Sequence, residues 1–515
     1  MGDALLTELQ ADTIHASLLR GNDSADAIGA LRRPWLSHGA LRRLVDRTVS
    51  DLNAMGIGRG DRVAIVLPNG PEMAASFVAI ACGATAAPLN PAYNEQEFRF
   101  YLEDLHAKAL VALAGDPTPA RAAADALGIP IIELIAGDGP AGDFRLAPNA
   151  ALRGPAISPG KSVAADIALI LHTSGTTARP KIVPLSHANI AASVRHIGAS
   201  LRLEPGDVCL NIMPLFHIHG LIAALLSALG AGGAVCCTPG LNAFRFFGWF
   251  ADVRPTWYTA VPTMHQTLLE LVPRFHDRLA DGRLRFIRSS SASLPPKVMQ
   301  DLETAFGVPV IEAYGMTEAA HQMAANPLHP LPRFAGSVGI AAGPEIAVMG
   351  DDGALLPADS PGEIVIRGPN VTAGYESNPD ANAAAFHDGW FRTGDQGMLD
   401  AAGYLRLTGR LKEVINRAGE KVSPLEVEAV LLEHPAIRQA VVFAMADRLM
   451  GEDVAAAVVL RDGMAVDESD MRDFVATRLT AFKVPKRIVC LDELPKGATG
   501  KLQRIGLAAR LGLVS

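Results

Sequence analysis

The 515-residue chain has no block of like charge; its 46 Lys and Arg against 54 Asp and Glu leave a net charge of only −8. A nucleic-acid footprint or a polybasic membrane anchor needs clustered Lys and Arg, so neither is expected. The five cysteines, Cys82, Cys209, Cys236, Cys237 and Cys490, show neither paired spacing nor a metal pattern, which suits a reducing compartment. The opening residues MGDALLTELQADTI carry acids and no basic region, so no signal peptide is expected. Leu6 spoils a myristoylation pattern, and the final LVS is not a peroxisomal address. The longest uncharged run, GLIAALLSALGAGGAVCC from Gly220, is interrupted by a glycine cluster and reads as buried helix, turn and buried strand rather than a membrane span. Internal repeats and low-complexity tails are absent too. The expectation is a cytoplasmic globular protein, divided at roughly 100 to 200 residues per domain into two to four units.

From about Trp35 to Leu399, helical patterns alternate with short apolar runs: RVAIVLP, IALILH, GAVCCTP, TWYTAVP, FIRSSS and VPVIEAYG. That alternation predicts layered α/β architecture. A different texture follows GYLRLTGRLKEVINRAGEKVSP. Ser423, Pro424 and Glu426 spell a capping box at a helix start. Strands near QAVVFAMA, DVAAAVVL and RIVCLDE, with a helix from about Asp467 to Leu479, predict a small α+β domain of roughly a hundred residues. The predicted boundary gives units 1–410 and 411–515.

Five strings carry candidate chemistry. SGTTARPK, Ser174 to Lys181, gathers hydroxyls around a glycine and ends on a lysine, a donor set suited to phosphate. It is not a Walker A loop, because Pro180 precedes Lys181 and extended chain follows; a loop between two strands is predicted. Taken alone it reads equally as a turn. EAYGMTE, Glu312 to Glu318, places a hydroxyl beside a carboxylate after an apolar strand, a pair able to hold a phosphate oxygen and its Mg²⁺. WFRTGD ends in Asp395, a carboxylate able to accept both hydroxyls of a ribose, or merely a turn former. GRLKEVIN sets Arg410 and Lys412 at the predicted boundary, where a solvated linker is the plain reading. PKGATGKLQR sets Lys501 on a glycine turn, where most lysines simply face solvent.

Occurring together and in this order, TSGTTARPK, EAYGMTE, RTGD, GRLKEVI and PKGATGK resemble the adenylate-forming superfamily of acyl-CoA synthetases, peptide-synthetase adenylation domains and firefly-type luciferases. The resemblance covers nearly the whole chain, with Ala178 and Ile182 standing where glycines are commoner. It implies a large layered α/β N-terminal domain and a small mobile α+β C-terminal domain. The implied reaction joins a carboxylate to ATP as acyl-AMP, with pyrophosphate leaving, and then passes the acyl group to the thiol of CoA. It also implies site residues. The loop, with Thr173, Ser174, Gly175, Thr176, Thr177 and Lys181, would close on the β- and γ-phosphates. The strand residues Ala313, Tyr314, Gly315 and Met316 would line the nucleotide, Tyr314 stacking on adenine. Asp395 would take the ribose hydroxyls and Arg410 ribose or phosphate. Thr317 would touch the α-phosphate, Glu318 would hold Mg²⁺, and Lys501 would bridge substrate carboxylate and AMP. Lys412 matches the hinge, and Gly419 the glycine passed by pantetheine. AFKVPKR, with Lys483, Lys486 and Arg487, is a candidate patch for the nucleotide phosphates of CoA or an ordinary solvated loop.

For the acid itself, PLFHIHGL, WYTAVPTMHQ, RSSSASL, MTEAAHQM and RGPNVTAGY look most like the oxalate–CoA ligase branch. A fatty-acid pocket calls for small apolar residues, whereas these segments supply His217, His219, Arg288, Ser291 and His321. His217, Ser291 and His321 would then hold a distal carboxylate, with Arg288 as competing partner. Malonate or a medium-chain acid is the alternative substrate, and a nucleotide-binding relative without turnover the alternative function.

Overall fold

A computed structural model describes residues 12–147, 149–173, 180–279, 282–496 and 502–513. Two large mixed sheets form the bulk of the chain. One has seven strands in the order 144–147, 131–136, 109–113, 62–66, 85–88, 167–173, 181–186. The other has nine, running from 340–341 through 321–325, 310–316, 286–290, 257–260, 208–211 and 234–237 to 26–29 and 36–37. Inner strands pair in parallel and those at the ends antiparallel. Each apolar run named above lies on one of these strands, buried on both faces as parallel strands covered by helices must be.

Helices pack between the sheets. Pro71–Ala81 is buried at nearly every position, as a helix apolar all round must be. The run from Gly220 behaves likewise: a π-helix over His219–Leu226 continues as the helix Ser227–Gly230, then turns into the buried strand Ala234–Cys237. A Cβ at Gly220 would lie 2.2 Å from the Pro214 carbonyl oxygen, so only glycine allows this close entry.

Beyond Ala341 the expected α/β alternation stops. Residues 345–410 form a five-stranded antiparallel sheet, its strands joined through turns with positive φ at Gly353, Asp359, Gly389 and Gly403. Such turns return a chain directly, where a parallel crossover needs a helix. After Arg410 the chain leaves that sheet, and from Ile415 it builds a separate small sheet of 415–417, 420–422, 437–447, 451–460 and 487–490, with helices Pro424–Glu433 and Glu468–Ala476. Ser423 caps the first of these helices, its Oγ accepting Glu426 N–H at 3.4 Å. The second half of the capping box is not made: Glu426 pairs with Lys483 instead, at 2.7 Å, because an ammonium is a stronger partner for a carboxylate than a backbone amide. Among the described residues no helix is long and apolar enough to cross a membrane.

Candidate active site

The strands Ile167–Thr173 and Lys181–Ser186 pair antiparallel, with Thr173 opposite Lys181, so the hydroxyl-rich loop does join two strands. Ser174, Gly175, Thr176 and Thr177 lie outside the described residues, as does Lys501. The feet of the loop are fixed. His172 Nε2 lies 3.0 Å from Asp104, and Lys181 Nζ sits 4.2 Å over the ring of Tyr375. The Tyr375 hydroxyl in turn donates to Glu318 Oε1 at 2.9 Å. Burial pushes the Glu318 carboxyl above the usual carboxylate range.

Glu318 and His321 flank a sharp turn. The strand Val310–Met316 runs into a single 3₁₀ turn, Thr317–Ala319, and returns as His321–Ala325 with positive φ at both Ala320 and His321. Such backbone costs about 1 kcal/mol or more per residue and persists only where neighbours over-determine it. Ser193 holds the Ala320 carbonyl at 2.5 Å, Asn370 the carbonyls of Ala319 and Gln322, and the Thr372 amide that of Glu318. Gly315 permits the return, since a Cβ there would lie 1.6 Å from the His321 carbonyl oxygen. Thus RGPNVTAGY, which motif reading left without a role, pins the turn through Asn370, Thr372 and Tyr375.

On the nucleotide side, Asp395 and Arg410 are cross-strand partners in the antiparallel sheet, joined at 3.2 Å. The Tyr314 phenol donates to the other oxygen of Asp395 at 2.6 Å, so three residues from two sheets meet. Ala313, Gly315, Met316 and Thr317 follow the same strand into the turn, Ala313 buried and the other three half-buried.

The acid-side residues converge as well. Ser291, also at positive φ, lies 3.0 Å from His219 Nδ1, and His219 Nε2 lies 2.6 Å from Thr259 Oγ1. The rings of His219 and His321 meet edge-on at 5.0 Å. His217 joins through its Nδ1, which accepts the His219 backbone N–H at 3.2 Å. Ser291 and His217 stay half-buried, while His219, Arg288 and His321 are buried. His219 therefore belongs to the cluster although its neighbour His217 was the residue assigned; the available signal was the HIH spacing.

Lys412 is exposed in the turn between the two sheets, and Gly419, at φ 96°, has open space where a Cβ would stand. The AFKVPKR cations are each already paired: Lys483 with Glu426, Lys486 with Asp447 at 2.6 Å, and Arg487 with Glu468 at 3.1 Å.

Residues 21–376 match the family described as AMP-binding enzyme, and residues 426–501 match the AMP-binding enzyme C-terminal domain. The chain belongs to the AMP-binding enzyme family. Family members similar to it include an oxalate–CoA ligase of Arabidopsis thaliana, 47% identical over 91% of this chain and 92% of that one. An oxalate–CoA ligase of Saccharomyces cerevisiae is 40% identical over 87% and 86%. Among solved structures, ATP-bound MatB from Rhodopseudomonas palustris superposes with a TM-score of 0.86 at 30% identity, covering 97% of this chain and 98% of that one. The fold is that of the adenylate-forming enzymes, with the small sheet as its C-terminal part.

Proposed function

We propose that the chain is an ATP-dependent acid–CoA ligase and that its acid is oxalate. One oxalate carboxylate attacks the α-phosphate of ATP, giving oxalyl-AMP and pyrophosphate; the CoA thiol then attacks the acyl carbon, and AMP leaves. The observation that carries the acid assignment is the polar cluster of buried His219 and His321 with half-buried Ser291, where a fatty acid would need apolar walls. The named activity of the plant and yeast relatives supports the same reading.

The remaining roles follow from chemistry. Asp395, fixed by Tyr314 and Arg410, is assigned the ribose hydroxyls. Glu318 suits Mg²⁺, being a hard oxygen donor with one oxygen on Tyr375, and would hold the ion together with phosphate and water. Bound there, the ion would neutralise charge between the phosphates. Lys501 is assigned to the carboxylate-activating step, and the loop Ser174–Thr177 to the leaving pyrophosphate. The unit boundary is placed at 410/411, where the chain passes between sheets, with Lys412 as hinge and Gly419 beside the pantetheine arm.

A pyrophosphate-release screen over oxalate, malonate and C4 to C8 monocarboxylates, run with and without CoA, tests the proposal. Oxalate must lead, with oxalyl-CoA as product. Preference for a C6 or C8 acid would assign these histidines to packing, and ATP binding without pyrophosphate release would mark a nucleotide-binding relative.

A further inference from the structure

Arg288 lies on the strand Phe286–Ser290 with no solvent exposure. Its NH1 group faces His219 Nε2 and Thr259 Oγ1, both at 3.5 Å; its NH2 group faces His321 Nδ1 at 3.5 Å and Gln322 Oε1 at 3.2 Å. Among the described residues no carboxylate lies within ion-pairing distance of it, and its Nε has no hydrogen-bond partner. The other titratable group acting on it is the Cys209 thiol, which burial holds well above its usual range and therefore neutral. A buried cation without an anion is strongly destabilising. Burial pushes the guanidinium down to about 9, so it still carries its charge at neutral pH.

The hydrogen-bond directions are set from one end. The Gln322 amide nitrogen donates to the Ala342 carbonyl at 3.1 Å and to Ser200 at 2.9 Å, which turns its carbonyl oxygen toward Arg288. A guanidinium only donates, so each imidazole nitrogen facing it must present a lone pair. His219 then carries its proton on Nδ1 and gives it to Ser291 Oγ, leaving the serine hydrogen for another acceptor. The same rule assigns the His321 proton to Nε2. A doubly protonated ring in either place would set N–H against N–H.

Resting on the proposed activity, we infer that Arg288 is a positioning residue for the acid: it supplies the positive charge that the distal carboxylate answers, and it orients Ser291 and His321 as donors toward that carboxylate. The histidines act as neutral donors, and the charge stands behind them. A dianionic acid completes the ion pair that the folded protein leaves open, whereas an alkyl chain leaves it open.

The test compares Arg288→Met and Arg288→Lys with wild type, measuring kcat/KM for oxalate and butyrate and ligand-free melting temperature. Met should lower kcat/KM for oxalate by roughly a hundredfold, mainly through KM, while changing butyrate less than about threefold and leaving the melting temperature equal or higher. Lys should restore part of the oxalate preference, since a point charge cannot span both rings. Equal losses for both acids with a lower melting temperature would overturn the inference. If wild type uses malonate instead of oxalate, the same ratio is read on malonate, so the oxalate assignment falls and Arg288's role stands; if wild type prefers butyrate, both fall. Independently of any variant's folding, ¹H–¹⁵N spectra of histidine-labelled wild type must show His219 protonated at Nδ1 and His321 at Nε2, and the opposite tautomers would refute the arrangement.

Discussion

The Tyr314 phenol and the Asp395 carboxylate are bound at 2.6 Å, joining the last long strand of the nine-stranded sheet to the antiparallel sheet that follows it. Arg410 holds the second carboxylate oxygen, so Asp395 is oriented before any nucleotide arrives. Removing the phenol hydroxyl in Tyr314→Phe should raise KM for ATP about tenfold, the scale of a hydrogen bond to a charged group. The oxalate-to-butyrate preference at saturating ATP should not move. A shifted acid preference would mean that Tyr314 borders the acid rather than the nucleotide.

Lys501→Ala should abolish pyrophosphate release while leaving ATP affinity within a few-fold, because the charge acts where negative charge gathers in the transition state. Thioester formation from chemically made oxalyl-AMP should survive. Equal loss of both half-reactions would remove the lysine from its assigned step.

Lys412→Pro should separate the half-reactions in the other direction. Proline fixes φ at the turn between the sheets, where Lys412 N–H makes no backbone hydrogen bond among the described residues. Oxalyl-AMP should form and accumulate with little transfer to CoA. Normal thioester turnover would place the hinge elsewhere.

Glu312 offers a stability test. It is buried, accepts the Leu294 N–H at 2.8 Å, and burial raises its carboxyl from 4.5 to about 8. Between those values the folded protein keeps a proton that the unfolded chain has released, so stability falls as pH rises through the window, by about 1.4 kcal/mol per unit at most. Glu312→Gln keeps the acceptor and removes the titration. Its melting temperature should gain on wild type steadily from pH 5 to pH 8; a constant gap would show that Glu312 does not titrate there.

Much of this was legible in the chain. The apolar runs became buried strands because helices cover both faces of the sheets they form, and the loop expected between two strands, since Pro180 disfavours a helix there, does join the paired strands Ile167–Thr173 and Lys181–Ser186. The turn at Glu318 was visible as a motif, but its cost was not: positive φ at Ala320 and His321 is a property of the closed turn, tolerated because Asn370 and Thr372 arrive from about fifty residues away. Arg288 could be suspected from its company of serines. Its place beneath two histidines depends on parallel register, with Arg288 beside Thr259 on one strand and Ile311 on the other, and such register is set by sheet order rather than by local pattern. The π-helix that carries His219 left no periodic signal at all.

If the site recognises a second carboxylate, His321→Val is the substitution that exposes it. Steady-state kcat/KM would be taken for oxalate, butyrate and hexanoate in wild type and variant. Oxalate should lead in wild type and fall roughly a hundredfold or more in the variant, the scale for a buried charge losing a partner, while the monocarboxylates hold or improve. A uniform loss across all three acids, or a wild type that already favours hexanoate, would contradict it.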